Sequence, residues 1–185
     1  MMEEKVKGSL LLDYVRMIRA NKDKDWGKYL EPQDWEIING RVLPSLWYPL
    51  STFRRAGLAT FNLLANGNME MVRAWGRISL EQLVKGLYKS IVAEPDPVKA
   101  LERFVLMRRQ FYNFLSMEMK PVDDKHVKLL LAFGPEEPGH EPYRAQLQGG
   151  VERLLELTGG KNPEINFSGV EWNGASATEF DITWE

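Results

Sequence analysis

The spacing of apolar residues changes once along the chain, from a helical period to strict alternation. Near the start, Leu11, Val15 and Ile18 recur at intervals of three and four residues, which predicts an amphipathic helix. That helix is expected from Gly8 to Asn21. The same period predicts further helices in these segments: two short pieces within 22–40, then 50–66, 68–94, 97–115 and 143–158.

Glycine and proline indicate where these helices begin, bend and pack. Asp96 is expected to cap the helix that starts at Pro97, because an aspartate oxygen accepts from free N–H groups there and proline lacks one. Gly76 is expected to be a soft point that kinks or divides its helix. The pair Gly149-Gly150 lies inside a helical pattern, where small residues permit close packing.

After Ser116 the apolar and polar residues alternate, which predicts strands. One pair of strands is expected around the turn at 123–125 and a second pair around Asn173-Gly174. The last strand is expected to lie inside the sheet or to be fully paired. A change of phase predicts a β-bulge near Ser168-Gly169. Six residues are expected to be buried on the covered face: Val127, Leu129, Leu131, Phe180, Ile182 and Trp184.

Helices followed by two hairpins around one further helix predict an α+β fold. The expected architecture is a set of N-terminal helices packed on a C-terminal four-stranded antiparallel sheet, in the order β-β-α-β-β. We assign residues 1–40 to an N-terminal helical segment and residues 41–185 to the α+β domain, and expect the two to form one structural unit.

Composition excludes several classes of function. The formal net charge is −2 and the pI is near 5.8, whereas binding to nucleic acid needs a basic excess or a basic face. The chain has no cysteine and therefore no disulfide and no thiolate chemistry. Its longest apolar run near the start, Leu10–Leu12, is too short for a membrane span or a signal peptide. We therefore expect a cytoplasmic protein without a nucleic-acid or membrane partner.

Three segments resemble an uncharacterised domain family found mainly in myxobacteria and related bacteria. They are RVLPSLWYPLSTF, RAWGRISLEQLVKGLYKSIVAEPDPVKALERF and GGVERLLELTGGKNPEINFSGVEWNGASATEFDITW. The family is similar in layout to vinyl-reductase-type domains and, more distantly, to the small subunits of vesicle-tethering complexes and to heme-nitric-oxide-binding domains. The resemblance implies a vinyl-reductase-like domain over residues 41–185 that acts as a sensory or regulatory module.

Two departures limit what this resemblance implies about cofactors. Relatives carry cysteines in the last hairpin, where this chain has Trp172 and Thr178. The heme-binding relatives use a proximal histidine and a Tyr-x-Ser-x-Arg motif, and this sequence has no such motif. We therefore expect no heme and no other cofactor.

The two histidines do not predict a metal site. His126 stands at a strand entry and His140 in a loop rich in proline and glycine, and both are expected on the surface. Nothing in the spacing brings them together with carboxylates. A nucleophile elbow and a Gly-rich phosphate loop are also missing from the sequence. We expect that the protein is not an enzyme.

Aromatic residues concentrate in the helical half and are typical of a pocket for a small molecule, although at helical spacing they also serve simply as core. Arg108 and Arg109 interrupt the apolar stripe of the helix that starts at Pro97, and one of them is expected to point toward the packed side or its edge. That arginine has two interpretations. The favoured one is a partly buried arginine paired with an acid from a neighbouring element, and the other is an anchor for an anion at a pocket mouth. The candidate pocket residues are Trp47, Tyr48, Trp75, Tyr88, Arg108, Phe111 and Tyr112.

Two functions of different class follow from these observations. One is a non-enzymatic regulatory module of bacterial cytoplasmic signalling that binds a small apolar ligand, a protein partner or both. The other is a protein-interaction scaffold without a ligand, with a filled core and an exposed apolar patch. The helical half offers more apolar surface than one sheet face covers, so we expect a homodimer or a protein partner joined through it. Residues 8–21 are the expected contributor.

Overall fold

Helices and two antiparallel sheets make up the structure, a computed structural model in which residues 3–86 and 88–185 are described. The helices are α1 (Gly8–Ala20), α2 (Pro32–Asn39), α3 (Leu50–Leu63), α4 (Met69–Lys85), α5 (Pro97–Arg109) and α6 (His140–Leu157). The strands are β1 (Lys5–Lys7), β2 (Trp47–Pro49), β3 (Met117–Asp123), β4 (His126–Leu131), β5 (Glu164–Trp172) and β6 (Ala175–Thr183). Short 3-10 turns lie at Trp26–Lys28 and Lys89–Val92.

The C-terminal sheet confirms the predicted α+β fold. Its strand order is β3-β4-β6-β5, every pair is antiparallel, and α6 follows β4 to complete the order β-β-α-β-β. Strand β6 pairs with a neighbour on each side, as expected for the last strand. The residues predicted to be buried are all buried: Val127, Leu129, Leu131, Phe180, Ile182 and Trp184.

The predicted bulge near Ser168-Gly169 is wrong. Strands β5 and β6 pair without a register shift from Glu164 to Trp172. Because β5 is an edge strand, its last residues can stay half-buried on the outer face, and no bulge is needed to return them to the core. The register shift lies instead in β3, between Pro121 and Asp123, where proline has no N–H to donate to the ladder.

A second, two-stranded sheet was not predicted. Strand β1 pairs with β2 in antiparallel register, and the N–H of Lys7 also donates to the carbonyl of Phe111 at 2.8 Å. A further bridge joins Val6 to Tyr112. Helix α5, which was expected to continue to residue 115, therefore ends at Arg109, because the segment after it is drawn into this pairing.

Helix α1 buries its apolar face inside the chain. Leu11 is fully buried, Val15 and Ile18 are nearly so, and the helix packs on α3. Phe53 of α3 is buried as well. The chain itself therefore covers the apolar face of the helix that was the expected contact for a partner, whereas Leu115, in another of the apolar stretches expected to need a neighbour, is 45% exposed. A homodimer or a protein partner stays a prediction.

Helices α4 and α6 approach each other at two glycines. A Cβ on Gly76 would lie 1.9 Å from the carbonyl oxygen of Gln146, and a Cβ on Gly149 would lie 1.9 Å from that of Arg73. Both positions therefore require glycine, which confirms the expected close packing at Gly149. The expected soft point at Gly76 is wrong, since α4 runs unbroken from Met69 to Lys85. Residue 87, which the predicted helix also included, lies outside the described residues.

Ion pairs flank the glycine contact. The carboxylate of Glu152 on α6 is buried and lies 2.7 Å from Arg73 and 3.5 Å from Arg77, both on α4. Arg77 also pairs with Glu156 at 2.6 Å. A buried carboxylate is stable only when it is paired in this way, so these contacts define how α6 lies along α4.

Gly76→Ala and Gly149→Ala are each expected to lower the free energy of unfolding by about 3 kcal/mol, because the added methyl group meets a backbone carbonyl that cannot move aside. The control is Gly27→Ala, whose Cβ would meet its nearest neighbour at 3.9 Å and should change stability little. Urea denaturation of the three variants measures the difference. Equal stability of all three would contradict the close contact.

Candidate functional site

Two clefts open between the helices and the β4 end of the sheet. The first has a volume of about 390 Å³, opens to solvent and lies among α3, α4 and the first turns of α6. The second has a volume of about 280 Å³ and lies between α3, the segment after α5 and the end of β4. They share the residues Phe53, Arg54, Phe133 and Tyr143. The first is also lined by Tyr14, Gly57, Phe61, Trp75 and Gln146, and the second by Leu50, Tyr112, Phe114, Ser116, Leu131 and Ala132.

Side chains fill most of both clefts. In each, the centre of a water-sized molecule can move within only about 20 Å³, which is room for about one water molecule. A larger ligand would therefore have to displace the aromatic rings that separate the two clefts.

Arg54 forms part of the wall that the two clefts share. Its guanidinium lies 4.5 Å from the ring centre of Phe133 and pairs with Glu137, which belongs to the loop between β4 and α6. The charge of Arg54 is therefore balanced by a carboxylate, and the pair links α3 to that loop.

A cluster of tyrosines surrounds the guanidinium of Arg108 behind the clefts. The Nη2 atom of Arg108 donates to the hydroxyl of Tyr112 at 3.1 Å and to that of Tyr143 at 2.5 Å. The two hydroxyls bond each other at 2.6 Å. Nearby, Tyr14 of α1 donates to Gln146 of α6 at 3.0 Å. The cluster joins α1, α5 and α6 through polar groups.

Arg108 is a fixed cation in this cluster, and Tyr14 and Tyr112 are neutral phenols at neutral pH. Burial raises the pKa of Tyr14, and it raises the pKa of Tyr112 well above its ordinary value of 10.0. Burial alone would lower the pKa of Arg108, but Tyr112 and Tyr143 outweigh that effect, so the pKa lies above its ordinary value of 12.5. These three groups therefore keep their protons across the physiological range.

The favoured interpretation of Arg108 is wrong. Within residues 3–86 and 88–185, no carboxylate lies in ion-pair distance of this arginine, whose hydrogen-bond partners are the two tyrosines. Its Nε atom is buried and has no partner among the described groups. The charge is thus held by hydroxyl oxygens alone.

Ser116 is a second unsatisfied group at the same place. The residue is 3% exposed, and its Oγ atom has no hydrogen-bond partner among the described residues. It lines the second cleft together with Tyr112 and Tyr143. A buried hydroxyl without a partner costs free energy, so it marks a place where a ligand atom would be stabilised.

The candidate pocket residues do not form one site. Trp75 lines the first cleft, Tyr112 lines the second, and Arg108 stands behind them. Tyr88 packs edge-on against Phe111, which is buried in the main core.

Trp47 and Tyr48 lie apart in the small sheet. Trp47 is 42% exposed beneath the ammonium group of Lys7, and the hydroxyl of Tyr48 accepts from the N–H of Leu43. These contacts position the two residues as parts of the sheet that joins the N-terminus to α3.

Several lining residues were not among the candidates. They are Tyr14, Phe53, Arg54, Ser116, Phe133 and Tyr143. A signal was present for two of them, since Tyr14 and Tyr143 are polar residues within helices at positions that face inward. Phe133 also had a signal, since it continues the alternating face of Val127, Leu129 and Leu131. Ser116 gave none, because it lies just outside a strand and only the fold brings it to the cleft.

His140 is buried rather than exposed. The residue is 3% exposed, its Nε2 lies 2.7 Å from Thr178 Oγ1, and the hydroxyl of Thr178 donates to the carbonyl of Phe133 at 2.8 Å. Since the one hydroxyl hydrogen is used there, Nε2 of His140 must be the donor. Helix α6 begins at His140 and not at the expected residue 143. His140 therefore belongs to the first turn of a packed helix and not to an exposed loop.

His126 is half-buried at the edge of β4 and pairs with Asp181 of the neighbouring strand. The two histidines therefore lie in different hydrogen-bonded settings. No group of three or more metal-binding side chains occurs in the part of the chain that the structure describes. In the same residues, no helix has the length and apolar character needed to cross a membrane.

Comparison with known proteins gives a result for structures only. No family model matches the sequence, and no curated protein matches it. The solved structure of Fe(II) unliganded H-NOX protein from K. algicida superposes with a TM-score of 0.63 at 10% identity, covering 97% of this chain and 96% of that one. The fold is that of the H-NOX domains.

Other H-NOX structures agree. A mutant of T. Tengcongensis H-NOX gives a TM-score of 0.61 at 13% identity and covers 97% of both chains. A Cs H-NOX mutant gives 0.57 at 15% identity, covering 97% of this chain and 96% of that one. The resemblance to heme-nitric-oxide-binding domains is therefore confirmed at the level of the fold, which is all that such low identity shows.

The protein is expected to lose stability as the pH falls below about 6.5, because burial, followed by the charge of Arg144, lowers the pKa of His140 below its ordinary value of 6.5. Below this pH, His140 binds a proton in the unfolded chain but stays neutral in the folded chain. The free energy of unfolding therefore decreases until the pH reaches the pKa of His140 in the folded protein. One such group contributes a slope of at most about 1.4 kcal/mol per pH unit.

Urea denaturation between pH 5 and pH 8 measures this slope. His140→Gln should reduce it, while His126→Gln, which leaves His140 in place, should retain it. A slope that is the same in wild type and in His140→Gln would show that another group causes the loss.

Proposed function

We propose that this protein is a non-enzymatic sensory module of bacterial cytoplasmic signalling, which binds a small ligand with an apolar body in the two joined clefts. The observation that carries the proposal is the aromatic wall shared by the clefts, formed by Phe53, Phe133 and Tyr143. Pockets for small molecules are lined mainly by such side chains with a few polar groups at fixed positions. The likeness to H-NOX domains supports a fold that accommodates a ligand between helices and sheet.

Heme does not fit this arrangement. Two of the similar solved structures concern heme distortion and heme redox potential. Here neither His126 nor His140 lines a cleft. In each histidine, Nε2 already forms a hydrogen bond, with Asp181 for His126 and with Thr178 for His140. Iron can also bind a tyrosine oxygen, but burial raises the pKa of Tyr112 and opposes the phenolate form. Side chains leave room for little more than a water molecule in each cleft, so a macrocycle would require wide rearrangement.

The buried groups support binding rather than catalysis. A general acid or base works best when its pKa lies near the working pH. Arg108 and Tyr112 have pKa values above their ordinary ranges, which are already alkaline. They therefore act as permanent hydrogen-bond donors and as a fixed charge, which is what recognition of a ligand requires.

A scaffold without a ligand is the second candidate. The small free space in the clefts favours it, since side chains already fill most of the interior. Leu46 and Trp47 are 50% and 42% exposed and adjoin each other beside the small sheet, so they offer an apolar contact for a protein partner or a second copy. In the sensory proposal the same surface would pass on the response to the ligand.

Filling the clefts is expected to abolish binding of an uncharged aromatic probe. Gly57→Leu places a side chain in the first cleft and Ala132→Leu places one in the second. The control, Ala74→Leu, adds the same group on the exposed face of α4. Binding of fluorobenzene, followed by fluorine NMR, should weaken at least about tenfold in the two cleft variants, since a blocked pocket loses the burial of one aromatic ring.

Thermal unfolding of each variant shows that the fold is kept. If wild-type protein binds neither fluorobenzene nor any small molecule detected by native mass spectrometry after purification, the sensory proposal fails and the scaffold remains. A Soret band that shifts and sharpens relative to that of free hemin when the protein is present would contradict the exclusion of heme.

A further inference from the structure

We propose that the ligand is a small monocarboxylate, with its carboxylate bound by the hydroxyls of Ser116 and of the Tyr112–Tyr143 pair and its apolar body in the second cleft. The inference rests on the proposed function and specifies the chemical class of the ligand. Arg108 supplies the compensating charge from behind the tyrosines.

In the Tyr112–Tyr143 pair, one hydroxyl hydrogen has no acceptor among the described residues. Arg108 donates from Nη2 to the oxygens of both Tyr112 and Tyr143, and arginine cannot accept. The bond between the two hydroxyls uses one of their two hydrogens. The other hydrogen has no acceptor among the described residues. Whichever tyrosine carries it, that tyrosine lines the second cleft.

Ser116 adds a second unused donor on the same cleft. Its Oγ is buried and unpaired, and it belongs to the segment that leads from α5 into β3. Its unpaired state is independent of the arginine cluster, since no hydrogen bond joins the two within the described part of the chain. Residues from different segments thus bring two unused hydroxyl donors to the lining of one cleft, and no carboxylate is among its lining residues.

The charge at this place calls for an anion. Arg54, the other cation at the clefts, is already balanced by Glu137. Arg108 is half-buried with an inaccessible Nε atom, its partners among the described residues are hydroxyl oxygens, and desolvating a cation without a counter-ion is costly. A carboxylate beside the tyrosines would neutralise the charge and would accept short, charge-assisted O–H···O⁻ bonds.

The remaining walls specify the rest of the ligand. Apart from these hydroxyls and Arg54, the second cleft is lined by the apolar residues Leu50, Phe53, Phe114, Leu131, Ala132 and Phe133. The free space admits little more than a water molecule, so the ligand must carry a short aliphatic or single-ring body, and rings of the wall must move aside to admit it. A larger anion with several charges would leave oxygens against these apolar walls, where they would be unsatisfied.

Fluorine NMR with 4-fluorobenzoate and 4-fluorobenzamide tests the proposal, since the two probes share size and shape and differ in charge. In wild-type protein the benzoate should bind at least about tenfold more tightly, because hydrogen bonds to a charged carboxylate are stronger than those to a neutral amide. Ser116→Ala and Arg108→Gln should each remove most of this preference, and Arg108→Lys should restore part of it. Tyr88→Phe, which removes a tyrosine hydroxyl outside the cluster, should leave it unchanged.

Equal binding of the two probes, or a preference that survives Ser116→Ala and Arg108→Gln, would overturn the proposal while leaving a sensory module for neutral ligands. Failure of fluorobenzene and both other probes, with no small molecule detected by native mass spectrometry, would instead refute the proposed function. If Arg108→Gln does not fold, the milder pair Ser116→Ala and Tyr112→Phe decides the question. Each of these two removes one hydroxyl and leaves the charge of Arg108 in place.

Discussion

The close contact of α4 with α6 at Gly76 and Gly149 is the constraint on which the rest of the structure depends. Because each glycine meets a backbone carbonyl of the other helix, α6 has one position along α4, and the buried Glu152 with its arginine partners holds it there. The first turns of α6 then carry Tyr143 toward Arg108 and carry Gln146 toward α1. One helix packing therefore positions the polar cluster, the aromatic wall and the covered face of the sheet.

The polar cluster combines good hydrogen-bond geometry with an incomplete charge balance. In most protein interiors a buried arginine is paired with a carboxylate, as Arg55 is with the buried Asp34 in this same chain. Arg108 has phenols instead, and its Nε and the nearby Ser116 hydroxyl have no partners among the described groups. Unpaired polar groups at the edge of a cavity lower the stability of the protein there, and a ligand that paired with them would recover that stability.

Likeness to H-NOX domains covers nearly the whole chain, yet it concerns the path of the backbone rather than the interior. At 10% identity the side chains between helices and sheet can be entirely different, and function depends on those side chains. Here the interior presents tyrosine hydroxyls, an arginine and aromatic rings, with both histidines placed elsewhere. The same fold is thus consistent with a ligand of quite different chemistry.

The period of the apolar residues by itself determined the α+β class, the two hairpins and the buried face of the last strand, because alternation leaves a strand such as β6 only one way to face a core. Asp96 and Pro97 likewise placed the start of α5, since capping depends on neighbours in sequence. The tertiary structure alone decided that Gly76 is a contact rather than a kink, that His140 is buried, and that Arg108 has tyrosines instead of an acid. These outcomes depend on groups far apart along the chain, such as Tyr112 and Tyr143 or Gly76 and Gln146, and a local pattern carries no information about which distant residue will be its neighbour.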